Sequence, residues 1–346
     1  MIDNNTDTDT NEVNTSADLS ITKTDGLALY DGLLGAVRVT GDNKNLYTAA
    51  RGDNAVGIFS RIDNQVATDF GELYFEQVVV NGQAGVSGLL GVTDVILHPQ
   101  GETVYAAGSG DNSVVVMRRN QSSGHLSFLE KQSSGVFGVE GLEGVSDLAI
   151  SADGAHLYAS GPLTGSLTVF AIDQTAGENS GRLTFKQKLQ HAVAGVSGLA
   201  AISDVVVSQD GKHVYVTSNS DNAVSVFLRN PNANSQGYGQ LSYQQTYQQG
   251  DPGIGGLVGP TELVMSTQNG GDYVYVLGAA DEALVVFSRD SGSGELSFVE
   301  YKQNGTSQVE GLSNATHLVL SPDESSLYVA GQLENTLVRF DRDPIN

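Results

Sequence analysis

The segments GVSDLAIS (144–151), HLYASG (156–161), SLTVFAID (166–173) and RLTFKQKL (182–189) decide the fold. Each is four to eight residues of alternating or unbroken apolar, β-branched and aromatic side chains. Between them sit Ala152-Asp153-Gly154, Pro162-Leu163-Thr164-Gly165 and a longer polar loop, residues that favour turns. Four short strands in about 50 residues, with no helix-period stretch, describe one small antiparallel sheet.

The unit recurs. A Gly-Leu pair opens each copy at Gly32-Leu33, Gly88-Leu89, Gly141-Leu142, Gly198-Leu199, Gly256-Leu257 and Gly311-Leu312, spaced 56, 53, 57, 58 and 55 residues. Such a period filled with four strands is the mark of propeller blades. The sequence therefore predicts an all-β, six-bladed β-propeller with four antiparallel strands per blade. The sixth repeat has strands at His317–Ser321, Ser326–Ala330 and Thr336–Asp341 and no fourth. Ahead of the first repeat, Ala17-Asp18-Leu19-Ser20-Ile21-Thr22-Lys23 reads like Glu295-Leu296-Ser297-Phe298-Val299-Glu300, the fourth strand of repeat five. The N-terminal strand is expected to complete the last blade and close the ring, covering edges that otherwise invite aggregation. Residues 1–16, nearly all Asp, Asn, Thr and Ser, are expected to be a disordered linker, and residues 17–346 one propeller domain.

Charge narrows the partners. Forty Asp plus Glu against 17 Lys plus Arg give a formal net charge of −23, which disfavours nucleic acid and anionic lipid and suits cations or neutral ligands. Cysteine is absent, which excludes disulfides, thiolate metal sites and a Cys nucleophile. No apolar run is long enough to insert in a membrane, and any export signal must lie outside these residues.

The seventh position of each repeat is ionisable: Arg38, Asp94, Asp147, Asp204, Glu262 and His317. These residues open the innermost strands, so pseudo-symmetry gathers them around the axis. Converging carboxylates raise one another's pKa unless a cation sits among them, and Ca²⁺ takes six to eight oxygens. Asp94, Asp147, Asp204 and Glu262 are the candidate calcium ligands. The plainer reading is that each Asp caps backbone N–H groups near its own loop. A second series, Asp53-Asn54, Asp111-Asn112, Asp221-Asn222, Asp281-Glu282 and Glu334-Asn335, precedes the third strand and reads as turn structure. Tyr247, at the start of a long irregular connection with Asp251-Pro252-Gly253, is a candidate ligand contact at the mouth. Long loops between strands three and four at 63–70, 174–181 and 231–239 read as tolerated length. His156 and His213 share one position and read as structural, and neither a zinc motif, a phosphate loop nor a nucleophile elbow occurs.

Ser321-Pro322-Asp323 with Leu327-Tyr328-Val329-Ala330, and Val285-Val286-Phe287-Ser288-Arg289-Asp290 with Gly294-Glu295-Leu296-Ser297-Phe298-Val299-Glu300, resemble the lactonase-type or YVTN-type bacterial β-propeller repeat. The resemblance covers residues 17–346. Lactonases of that type act on phosphogluconolactone or carboxymuconate-type substrates, usually with seven blades and a His-Pro-Arg element. The matching positions here are Gly259-Pro260-Thr261 or Gly91-Val92-Thr93. Related repeats also occur in long secreted bacterial proteins, including adhesins. Two functions are therefore expected. The first is a non-enzymatic binding or spacer module, extracellular or at the cell surface, monomeric within a longer chain, offering a Ca²⁺-assisted acidic mouth to a carbohydrate, peptide or other surface ligand. The alternative is a lactonase-like or cyclase-like enzyme with His317 as base and Arg38 binding a substrate carboxylate.

Overall fold

The computed structural model describes residues 32–64, 70–266, 273–307 and 309–342. Twenty-three strands form six antiparallel sheets, each a simple meander, and one short 3₁₀ turn at Ser109–Asp111 is the only helical element named among these residues. The molecule is an all-β, six-bladed propeller. Blade one is built from Ala36–Gly41, Asn45–Ala50, Ala55–Arg61 and Leu73–Val80, and blade two from Val92–Leu97, Thr103–Gly108, Ser113–Arg119 and Leu126–Ser133. Blade three comprises Leu148–Ile150, His156–Gly161, Ser166–Ile172 and Leu183–Gln190, and blade four Ile202–Val207, His213–Ser218, Ala223–Arg229 and Leu241–Gln248. Blade five comprises Pro260–Met265, Tyr273–Gly278, Ala283–Arg289 and Leu296–Gln303. Blade six shows three strands, Ala315–Leu320, Ser326–Gly331 and Thr336–Asp341. Its expected fourth strand, at residues 17–23, and the expected linker at 1–16 lie outside the described residues. Among the described residues no helix is long and apolar enough to cross a membrane.

The blades stack through apolar faces. Consecutive pairs share five cores, each taking one face of one blade and the opposite face of the next, as strand alternation requires. Leu89, Leu142, Leu199, Leu257 and Leu312 are fully buried in these seams, which explains the leucine of the Gly-Leu pair. The glycine is explained by crowding. Gly88 has φ +103°, and a Cβ there would lie 2.8 Å from Ser113 Oγ, which donates to the Gly88 carbonyl.

Polar latches repeat alongside the cores. Tyr158 of blade three donates to the Gly239 carbonyl of blade four and accepts from Arg229 Nε at 2.8 Å, while Arg229 also pairs with Asp153 at 2.7 Å and His156 Nδ1 at 3.0 Å. Tyr215, Arg289, Asp210 and His213 repeat this clasp between blades four and five. The two histidines are thus structural, as their shared position suggested. The Asp-Asn turns are structural too. Asp111, Asp221 and Asp281 each accept a backbone N–H from their own blade's opening loop, while Asn54, Asn112 and Asn222 accept one from the next blade's. The 231–239 loop is more than tolerated length, because its Tyr238 donates to Asp153 at 2.8 Å and packs edge-on against His156.

Candidate functional site: carboxylates around an axial guanidinium

In five of the six blades the pairing of the first two strands slips by one residue just before the seventh repeat position, between Ala36/Arg38, Val92/Asp94, Ile202/Asp204, Pro260/Glu262 and Ala315/His317. A bulge there re-aims the following side chain. In blade three the ladder begins only after Asp147. The result is an axial cluster of Arg38, Asp94, Asp147, Asp204 and Glu262. Arg38 Nη1 donates to Glu262 Oε1 at 3.0 Å, Nη2 donates to Asp147 Oδ1 at 3.2 Å, and Nε lies 3.8 Å from Asp94 Oδ1.

Each acid also has a second task. Asp94 Oδ2 accepts the Leu148 N–H of blade three at 2.9 Å, and Asp147 Oδ2 the Val205 N–H of blade four at 2.8 Å. Asp204 Oδ2 and Glu262 Oε2 accept from Leu263 and Leu318, both at 2.6 Å. Each acid therefore ties its blade to the next one round the axis, beyond the local loop capping the sequence suggested. Asp94 and Asp204 each add one bond to the N–H of the following residue, which is the local cap.

The electrostatics follow from crowding in a dry place. Burial raises the carboxyl of Asp94, and Arg38 only partly offsets this. Burial, then Asp204 and Asp94, push Asp147 well above the usual carboxylate range. Burial also raises Asp204 to about 6, although the Leu263 N–H and Arg38 hold it down, and it shares a side-chain hydrogen bond with Asp147. Burial alone would lower Arg38, but Asp147, Asp94, Asp204 and Glu262 outweigh it and fix the guanidinium in its charged form. Asp147 and Asp204 thus form a pair of buried carboxyl groups, both raised above the usual range, beside a permanent cation.

This geometry places the expected residues as follows. Arg38, Asp94, Asp147, Asp204 and Glu262 come together. Among the described residues no group of three or more His, Asp or Glu side chains stands in an array that could hold a metal ion. The Arg38 guanidinium stands among the carboxylates named as candidate Ca²⁺ ligands, its planar donors within 4 Å of Asp94, Asp147 and Glu262. His317 is exposed, with Nδ1 3.1 Å from Thr316 Oγ1 and no ion pair to the cluster. Tyr247 is withdrawn from the mouth. It is 8% exposed, and its hydroxyl accepts the Leu296 N–H at 2.7 Å, tying blade four to blade five. The Tyr-Arg clasps were missed, although the signal was present as a Tyr in the second strand and an Arg ending the third in most repeats.

A propeller with an ionisable axial cluster belongs to a class shared by enzymes and binding modules. A profile of the family described as "Lactonase, 7-bladed beta-propeller" matches residues 8–131, 94–180 and 175–309. The chain belongs to that family. Among curated proteins it is similar to two uncharacterised proteins of Lactococcus lactis, one of them YwcC, each 29% identical over 83 residues, which is 24% of this chain and 24% of each relative. The match thus spans about a quarter of those relatives' length. Among solved structures it resembles the periplasmic gluconolactonase of Pseudomonas aeruginosa, with TM-score 0.64 and 22% identity over 88% of this chain and 80% of that one. A candidate 6-phosphogluconolactonase of Bacteroides fragilis gives TM-score 0.65 and 19% identity over 88% and 78% of the two chains. At these identities the likeness to the solved structures shows the fold.

Proposed function

We propose that the protein is a lactonase-type hydrolase acting on a neutral cyclic ester of the sugar-lactone kind at the Arg38–Asp147–Asp204 cluster. The observation that carries this reading is a guanidinium 31% exposed at the axis, beside a carboxyl pair held at raised pKa. Ester hydrolysis needs a donor for the developing oxyanion and a group to move one proton. Water adds to the carbonyl carbon as its proton passes to the ionised member of the pair, and Arg38 holds the oxyanion. Collapse then breaks the acyl C–O bond, and the proton goes to the ring oxygen to give the hydroxy acid. A group near pH 6 exchanges protons readily in both directions. Four carboxyl groups around one guanidinium leave the mouth negative, which opposes a phosphorylated or carboxylated substrate and accepts a neutral one. Family membership and the gluconolactonase neighbour support the same class. His317 as base has no such support, since its imidazole is exposed and its described contact is with Thr316.

A second reading rests on the latches. Each acid spends one oxygen on the next blade's backbone, so the cluster also suits a non-enzymatic module that binds a carbohydrate or cationic peptide, secreted or at a cell surface. Gluconolactone hydrolysis followed by base uptake at pH 6–7, corrected for the buffer rate, separates the two. The first reading expects turnover that Asp204→Asn lowers by about 10² or more. A wild-type rate equal to buffer, or one unchanged by Asp204→Asn, overturns it.

A further inference from the structure

The outermost strand of blade four departs from its counterparts at two positions. In blades two, three and five, Lys131, Lys188 and Tyr301 pair with Val115, Thr168 and Val285 and lie across the glycine of the Gly-Leu pair. A Cβ on Gly88, Gly141 or Gly256 would stand 3.2, 2.9 or 3.0 Å from those side chains. In blade three the Lys188 ammonium then reaches Glu140 at 2.9 Å. The same place in blade four holds Thr246, paired with Ser225, whose short side chain ends beside Gly198. Blade one has Val78 there, which is short but apolar. Beyond Thr246 lies a cavity of about 440 Å³, lined among others by His191, Asp221, Tyr243, Gln244 and Asp251. The second departure is Tyr243, in register with Phe75, Phe128, Phe185 and Phe298 of the other blades.

The cavity presents acceptors. Ser225 donates to the Gly198 carbonyl at 3.1 Å, so Thr246, 2.8 Å away, donates to Ser225. Ser197 and Tyr243 stand 3.0 and 2.9 Å from Thr246 and 2.7 Å from each other. The hydroxyl protons are thus spent along a chain that ends on backbone, and lone pairs are left over. Gln244 Oε1 is buried and accepts no hydrogen bond, a state that costs free energy until a donor arrives. Asp221 and Asp251 add carboxylates, and no Lys or Arg is among the described residues that line the cavity. His191 is engaged, with Nδ1 3.3 Å from Asp221 Oδ2. We infer that this cavity binds an alkylammonium group, whose stem crosses Gly198 as that of Lys188 crosses Gly141 and whose charge the two aspartates balance. The class follows from valence as well as from the neighbouring blades. An ammonium brings three protons and no lone pair, whereas each sugar hydroxyl brings two lone pairs with its one proton. A net charge of −23 draws the cation in. The site lies on the outermost strand of its blade, apart from the axial cluster, and does not depend on the chemistry there.

The test is calorimetric titration of n-butylammonium chloride into the full chain at neutral pH and low salt, with n-butanol and glucose as uncharged controls. Saturable binding of the ammonium alone is expected, weakening as salt is added. Spermidine and Nα-acetyl-lysine amide separate the two sources of this chemistry, a free polyamine and a lysine of another protein, by which of them binds more tightly. Two variants fill the cavity with residues the fold already accepts. Tyr243→Phe with Thr246→Lys copies Phe128 and Lys131 of blade two, whose opening loop carries Ser87 where blade four has Ser197. Thr246→Tyr copies Tyr301 of blade five. Each should keep its melting temperature and weaken n-butylammonium by about tenfold or more, as loss of a charged hydrogen-bonded contact does. A readout that changes no residue is the amide spectrum of the wild-type chain, in which the shifts on titration should centre on residues 243–248. No saturable binding, equal binding of n-butanol or glucose, shifts centred elsewhere, or full affinity in a folded variant overturns the proposal.

Discussion

Replacing Arg38 by Gln removes the cation that three axial carboxylates address while keeping a side chain of similar reach. At a separation of 3.0–3.2 Å from Glu262 and Asp147, each contact is worth about 5 kcal/mol of attraction at an effective dielectric near 20, before desolvation is subtracted. Loss of one partner from a buried charge cluster typically costs about 3–5 kcal/mol. Part of that cost is avoidable, because Asp147 and Asp204 can take up protons. Their folded pKa values already lie above the unfolded value, so the folded state binds more protons between about pH 4 and pH 6. These two groups therefore make stability fall as pH rises through that window. Without Arg38 the window moves upward. The variant should lose about 4 kcal/mol at pH 8, which is a drop in melting temperature of about 5 °C for a chain of 346 residues, and much less at pH 5. Differential scanning calorimetry at both pH values checks this. Calcium at millimolar concentration should raise the melting point of Arg38→Gln more than that of the parent, since the substitution opens the oxygen cluster to a cation. An equal deficit at pH 5 and pH 8, or none at pH 8, would refute the account of the guanidinium as counter-ion to a protonatable ring.

Asp204→Asn should stabilise the protein above about pH 6 by up to about 3 kcal/mol, the equivalent of a shift of roughly two pKa units, less whatever the Leu263 N–H loses as its acceptor becomes neutral. Chemical denaturation from pH 4 to 8 reads this, and the gain should vanish near pH 4. Tyr158→Phe leaves the Gly239 carbonyl and Arg229 Nε without their partner at the seam of blades three and four. The midpoint of urea unfolding should register a loss of about 2–3 kcal/mol, whereas Phe replacing the exposed Tyr74 of blade one should change little.

Much of the architecture was legible because it depends on local pattern. Alternation gives strands, turn residues give hairpins, and the Gly-Leu period gives six blades; HLYASG was read at its observed limits, His156–Gly161. The six seventh-position residues were also legible, since a period of about 55 residues brings equivalent positions to one axis. Their chemistry was not. Sequence shows four acids, one Arg and one His, but which of them meet depends on which side chain reaches across the axis. The bulge before Arg38 and the span of its side chain decide that, and both are three-dimensional facts. Tyr247 and His317 show the same limit from the other side. A tyrosine next to a long loop reads as a ligand contact until packing turns its hydroxyl toward Leu296, and a histidine in register with the acids reads as their partner until its own strand leaves it in solvent. Repeated sequence thus determines which residues are equivalent. Burial and reach, set by neighbours distant in the chain, determine which of them act together.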